Sequence, residues 1–192
     1  MILSDVEIKE AIAKGDLEVC GYDGDLHIGS SSLDLHLDNK AMILDDEKFQ
    51  DGEFMDFRYK EKTADKFTGY NGWEWLIIYP NEFYILSSKE KIKFSNDIVG
   101  FVQGRSSLAR MGIQVHCAGF ADAGFNGTIT LEVTNLTKYP ILIPKDTRIA
   151  QMVFARTGKP SEVPYGCNDK SKYQGQLGPT ITSIHKDFNH ED

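Results

Sequence analysis

Cysteine is scarce: three residues in 192, Cys20, Cys117 and Cys167, odd in number, far apart and without a CxxC pair. That pattern offers neither a disulfide framework nor a cysteine-rich zinc site, so reduced thiols are expected. No apolar run approaches the ~20 residues of a membrane span. The N-terminal "MILSDVEIKE" lacks the basic start and long apolar core of a secretory signal, so a cytoplasmic protein with no membrane contact is expected. Positive charge is also short, with 21 Lys and Arg against 29 Asp and Glu and a net charge of −8. An isoelectric point near 5.1 argues against a nucleic-acid partner, which would call for a broad basic face. Any anionic ligand must therefore be held by a local cluster. The chain has no Walker A motif, no GxGxxG, no GxSxG elbow and no HxE followed by PCxxC, the signature of zinc-dependent nucleobase deaminases. His27, His36, His116, His185 and His190 show no metal-ligand spacing and read as surface or structural histidines.

What is present is ordinary globular composition, 41% hydrophobic and 26% charged, in a length that suits one domain over residues 1–192. Ser4 with Glu7 three residues on forms a capping box. Ile8, Ala11 and Ile12 supply an apolar stripe and Gly15 a stop, which predicts one short N-terminal helix. The rest reads as β structure. The runs "AMIL", "WLIIY", "FYIL", "IVGFV", "TITLEV", "ILI" and "IAQMVF" recur between Gly, Asn, Asp and Pro clusters, a rhythm that favours a barrel or sandwich. Residues 45–74 are rich in charge and poor in apolar periodicity, and predict a solvated loop or protruding hairpin. The tail from Pro164, with glycines and polar side chains where a core strand would be apolar, predicts a segment that folds over something.

Two constellations carry chemistry. In "QGRSSLARMG", Gln103 to Gly112, Gly104 allows close backbone approach while Arg105, Ser106, Ser107 and Arg110 offer donors suited to phosphate oxygens. The same composition also fits a capped, solvated helix start. In "HCAGFADAGFNGTITLEVTN", Ile129, Leu131 and Val133 point one way and Thr128, Thr130 and Glu132 the other. Glu132 is thus a lone acid on a half-buried strand, where burial would raise its pKa toward the range of a general acid or base. A surface salt bridge is the alternative. Asp122 lies in a Gly-flanked turn and fits a turn-forming aspartate equally well.

In combination, "GRSSLAR", "AGFADAGFNGTITLE", "RIAQMVF", "PYG" and "SKYQGQLGPT", with "MILSD" and "SSSLDLHL" near the start, resemble the dCTP deaminase family of the dUTPase superfamily over most of the chain. The resemblance implies a mainly β, dUTPase-like distorted β-barrel (β-clip) with a short N-terminal helix, assembled as a homotrimer with active sites between subunits. It implies hydrolytic deamination of dCTP to dUTP and ammonia, with Mg2+ carried on the triphosphate, no zinc, and dUTP and dTTP as further ligands. Residue by residue, it implies that Glu132 shuttles protons and that Ser106 and Arg110 position Glu132 and the attacking water. The carbonyl of Ala118 would contact cytosine, and Asp122 would hold the deoxyribose 3′-hydroxyl. Arg105 and Ser107 would bind phosphates, and Tyr165, Lys172 and Gln176 would do so from a C-terminal lid over 164–192. The chain departs from the family in a loop one residue shorter at Cys117, and in Phe120 where many members place a basic residue. "AGF" and "KYQGQ" are closer to the bifunctional branch that carries dCTP through to dUMP and pyrophosphate. A dUTPase without deamination, or a nucleotide-binding trimer without turnover, are the further alternatives.

Overall fold

The computed structural model describes residues 1–116, 119–168 and 170–188. Helix α1 (Asp5–Lys14) is closed at both ends as its sequence requires. Ser4 and Glu7 exchange the reciprocal bonds of a capping box, and Gly15 takes the left-handed conformation at φ 78°. Ile8 and Ala11 are fully buried, so the apolar stripe faces the core.

The strands are β1 (Leu17–Cys20), β2 (Leu33–Leu44), β3 (Phe67–Asn71), β4 (Trp75–Ile78), β5 (Phe83–Phe94), β6 (Ile98–Gly104), β7 (Ile113–His116), β8 (Phe120–Ala121), β9 (Asn126–Asn135), β10 (Ile141–Pro144) and β11 (Arg148–Arg156); two short helices, α2 (Lys60–Ala64) and α3 (Ser106–Ala109), interrupt them. Among the described residues, nine strands pair antiparallel in the order β7-β9-β5-β2-β11-β6-β8, with β1 added to β5 and β3 to β2, while β10 and β4 form a separate pair. Every predicted apolar run falls on a strand, with only Tyr79 of "WLIIY" lying beyond the end of β4. Strands β1, β3 and β7, and the charged half of β5, "SSKEKIKF", were not predicted, because their apolar residues are too few to stand out against the polar ones.

The sheet curls because its two longest strands change neighbours along their length. β5 pairs with β2 through residues 84–88 and with β1 through 91–94. β2 pairs with β11 through 33–36 and with β3 through 40–44. Each strand breaks register where it switches, β5 between Ser87 and Lys91 and β2 between Leu37 and Ala41. Such irregularities bend a strand and raise its twist.

Polar groups freed by the irregularity are met by two buried side chains. The Ile129 amide donates to Ser88 Oγ at 2.9 Å, and that hydroxyl donates to the Glu90 carbonyl at 2.7 Å. The Glu90 carboxylate, 0% exposed, accepts from the His36 amide at 2.9 Å and lies 2.6 Å from His36 Nδ1. Tyr22 stacks on the His36 ring at 3.8 Å, covering it from the solvent side. The expected structural histidine is therefore found at His36.

Residues 45–74 are largely exposed, as expected, and β2 and β3 flank them as the antiparallel arms of a hairpin, but the excursion carries structure of its own. Asp46–Lys48 is a turn of 3-10 helix, α2 follows, and β3 joins the main sheet. The charged residues that hid this structure hold it together. Lys66, only 7% exposed, pairs with Glu53 at 2.7 Å and donates to the Lys48 carbonyl at 2.7 Å. Cys20 and Cys167 are free and exposed; Cys117 and His190 lie outside the described residues.

Removing one partner of the buried corner leaves the other unpaired. Glu90→Ala is expected to cost about 3–5 kcal/mol and Ser88→Ala about 1–3 kcal/mol, read as lower urea midpoints at unchanged m-value.

Candidate active site

A row of paired residues crosses one face of the sheet: His116 on β7 lies opposite Glu132 on β9, and Glu132 lies opposite Ile85 on β5. Residues in register share a face, so all three point the same way. Above them is a cavity of about 540 Å³ lined by Glu132, His116, Thr130, Phe83 and Ile85 from these strands, and by Phe120, Ala121 and Asp122 from β8 and the turn after it. Tyr165, Tyr173 and Gln176 of the tail complete another side.

The predicted alternation of β9 is present, with Leu131 and Val133 buried on one side and Thr130 and Glu132 half-buried on the other. Burial holds the Glu132 carboxyl above its ordinary pKa, and this outweighs the opposing pull of its own backbone amide and of His116. No salt bridge is made by Glu132 among the described residues. His116, read from the sequence as a surface or structural residue, is exposed and lies beside Glu132, with Nε2 3.3 Å from Thr134 Oγ1. Its place opposite Glu132 depends on pairing between β7 and β9, and β7 was not predicted.

The tail folds back along the start of β9. Thr128 and Gln176 exchange two backbone-involving bonds: the Thr128 amide donates to the Gln176 carbonyl at 3.0 Å, and Gln176 Nε2 donates to the Thr128 carbonyl at 2.7 Å. The Tyr165 amide donates to the Ala123 carbonyl at 2.8 Å, and its hydroxyl accepts from the Tyr173 amide at 2.9 Å. The crossing is close enough to need glycine. Gly124 has φ +88°, and a Cβ there would sit 2.6 Å from Pro164 Cβ. Asp122 is exposed and borders both the main cavity and a second of about 470 Å³, which Lys170, Ser161 and Ser171 also line. Phe120 borders both as well, edge-on to Phe101 at 5.2 Å.

The other expected site residues lie elsewhere. α3 starts directly after Arg105, with no side-chain cap, so the serines are not capping groups. Arg105 pairs with Asp34 at 3.5 Å, a carboxylate that Arg148 also approaches at 3.2 Å. Ser106, Ser107 and Arg110 are exposed and line neither cavity. Lys172 is held by Asp187 and lines neither cavity. Ala118 lies outside the described residues. One chain thus joins Glu132, Asp122, Tyr165 and Gln176 in one cavity and leaves the Arg105 to Arg110 cluster displayed outward.

The family pattern described as dCTP deaminase-like matches residues 2–157. A Sulfurihydrogenibium sp. protein named "dCTP deaminase, dUMP-forming" is 39% identical, over 97% of this chain and 99% of its own length. A Natronomonas pharaonis protein named "dCTP deaminase" is 34% identical, over 97% of this chain and 96% of its own. The crystal structure of 2′-deoxycytidine 5′-triphosphate deaminase from Agrobacterium tumefaciens superposes with a TM-score of 0.60 at 25% identity, covering 82% of this chain and 46% of that longer one. With matches of this extent, the chain belongs to the dCTP deaminase-like family.

Proposed function

We propose that the protein deaminates dCTP hydrolytically, with Glu132 as the proton shuttle. The observation that carries this reading is a carboxyl group held above its ordinary pKa by burial, on the floor of a cavity large enough for a nucleoside. As anion, Glu132 takes a proton from water while the oxygen attacks C4 of cytosine. As acid, it gives that proton to N3; it then takes the proton of the new C4 hydroxyl and gives it to the departing amine. The C4–N bond breaks, ammonia leaves, and the ring becomes uracil, so dCTP and water give dUTP and ammonia. A carboxyl whose pKa lies nearer the working pH serves both halves better than an ordinary glutamate.

Several roles require a second copy of the chain. Ser106 and Arg110, displayed outward, are assigned to position the water and Glu132 of a neighbouring subunit, and Arg105 and Ser107 to bind its phosphates. The reading is therefore a homotrimer with its sites between subunits, placed in the cytoplasm. Magnesium arrives bound to the triphosphate, as part of the substrate. Asp122 is assigned to the 3′-hydroxyl, Ala118 to the cytosine ring, and Tyr165, Lys172 and Gln176 to a tail that shuts over the nucleotide and keeps bulk water out. Lys172 must exchange Asp187 for phosphate to do so. dTTP, sharing the triphosphate and sugar, is assigned as a competing ligand.

A second reading continues the reaction to dUMP and pyrophosphate. Two observations favour it: Asp122 borders both cavities, so one carboxylate faces two binding regions, and the Sulfurihydrogenibium relative carries the name of a dUMP-forming enzyme.

Incubation with dCTP and magnesium, followed by chromatography, tests both readings. Ammonia with dUTP supports deamination alone, and ammonia with dUMP and pyrophosphate supports the longer sequence. Absence of ammonia overturns both. Glu132→Gln is expected to slow ammonia release by at least about 10²-fold, the lower end for losing a general acid–base group, while dCTP still binds in a calorimeter.

The same substitution has a signed effect on stability. The folded pKa of Glu132 lies above the ordinary glutamate value of 4.5, so ionisation opposes folding once the pH passes that value. Glu132→Gln is therefore expected to raise Tm relative to the parent at pH 8. This gap should shrink as pH falls through the folded pKa and vanish below about 4, where the carboxyl is neutral in both states.

A further inference from the structure

The segment between β2 and β4, whose role the sequence leaves open, reaches the catalytic cavity. Met55, Phe57, Thr63 and Phe67 line the same space as Glu132. The register explains why. Glu132 lies opposite Ile85, Ile85 opposite Met42, and Met42 opposite Gly69 on β3, so Phe67, two residues before Gly69, shares the face of Glu132. The chain that leads into β3 has to cross that face.

Its course is fixed by charge. Besides its pairing with Glu53, Lys66 sits over the Phe49 ring at 5.0 Å. Between Met55 and Phe57, Asp56 accepts two bonds from Arg58, at 2.9 and 2.7 Å. Bonding to Arg58 lowers the Asp56 carboxyl to about 2, so this clamp stays charged through any ordinary titration. The two apolar side chains are presented by a segment with its own internal bonding.

We propose that this segment is a working wall of the active site, in which Met55 and Phe57 close one side of the cavity and hold water away from the carboxyl of Glu132. They act as positioning residues, through the solvation of Glu132 rather than by touching the reacting atoms. The chemical consequence rests on the deaminase reading; the wall itself rests on geometry. The titratable groups that share the cavity come from elsewhere: His116 on β7, Asp122 after β8, and Tyr165 and Tyr173 of the tail. From β5 come Phe83 and Ile85, and from this segment only Met55, Phe57, Thr63 and Phe67, none of them charged. Removing apolar area from this wall leaves the charges around Glu132 unchanged and alters only its hydration.

The test is the double variant Met55→Ala/Phe57→Ala. Met55 is half-buried and Phe57 is 54% exposed, so the core is left intact. Phe54→Ala is the control, at a residue 74% exposed that does not line the cavity. Two readouts are taken: the titration midpoint of the Glu132 carboxyl carbon by NMR, assigned with Glu132→Gln, and kcat/KM for ammonia release from dCTP. The double variant is expected to lower the midpoint by roughly half a pH unit or more, as hydration is restored, and to lower kcat/KM about tenfold; Phe54→Ala changes neither. An unchanged midpoint in the double variant, or an equal change with Phe54→Ala, overturns the wall whatever the activity. A parent that releases no ammonia, yet whose Glu132 midpoint falls in the double variant, removes the deaminase reading and leaves the wall standing.

Discussion

The placement of the site depends on one corner of the sheet, where Ser88 and Glu90 satisfy what the register shift in β5 leaves unpaired. A strand that changes neighbours must free backbone groups, and buried free groups are expensive. Ser88 accepts from the Ile129 amide and donates to the Glu90 carbonyl, while the Glu90 carboxyl group accepts from the His36 amide and bonds the His36 ring. These bonds tie together β2, β5 and β9. They also set the phase of β9, because side chains alternate and a slip of one residue would turn Glu132 into the core and Leu131 out of it.

From that phase follows the electrostatics of the cavity. Glu132 rises from a sheet face that is then covered, by the tail on one side and by the segment before β3 on another. Neither cover brings a cation to the carboxyl. Solvent is withdrawn without a compensating charge, and a glutamate placed this way holds its proton more readily. His116, the nearest partly compensating group, opposes this only in part. The surplus acidity of the whole chain does not conflict with a triphosphate ligand, because only a few local cations, Arg105 and Lys172, are assigned to it.

Much of the fold was legible. The capping box at Ser4 and Glu7 and the apolar runs of the long strands carry local, periodic signals that survive in any context. The internal structure of the exposed stretch 45–74 was not legible because it is held by Lys66 in a cage of Glu53, the Lys48 carbonyl and the Phe49 ring. Buried charge of that kind looks in sequence like solvated charge. The second half of β5 was missed for the same reason: "SSKEK" reads as surface, yet Ser87, Ser88 and Glu90 are fully buried.

For the site, residue types and alternation were enough to single out Glu132 as an acid on a half-buried strand and Asp122 as a turn carboxylate, and they left the Arg105 to Arg110 cluster open between an anion-binding set and a helix start. Those inferences rest on properties of single residues and near neighbours. Distance between segments remote in sequence is another matter. That His116 stands opposite Glu132, that Met55 and Phe57 line its cavity, that Lys172 is engaged by Asp187, and that Ser106 and Arg110 face outward all follow from strand register and chain crossing. Register is set by buried hydrogen bonds at the β5 corner, between residues some forty to fifty positions apart, and no local pattern in the chain encodes it.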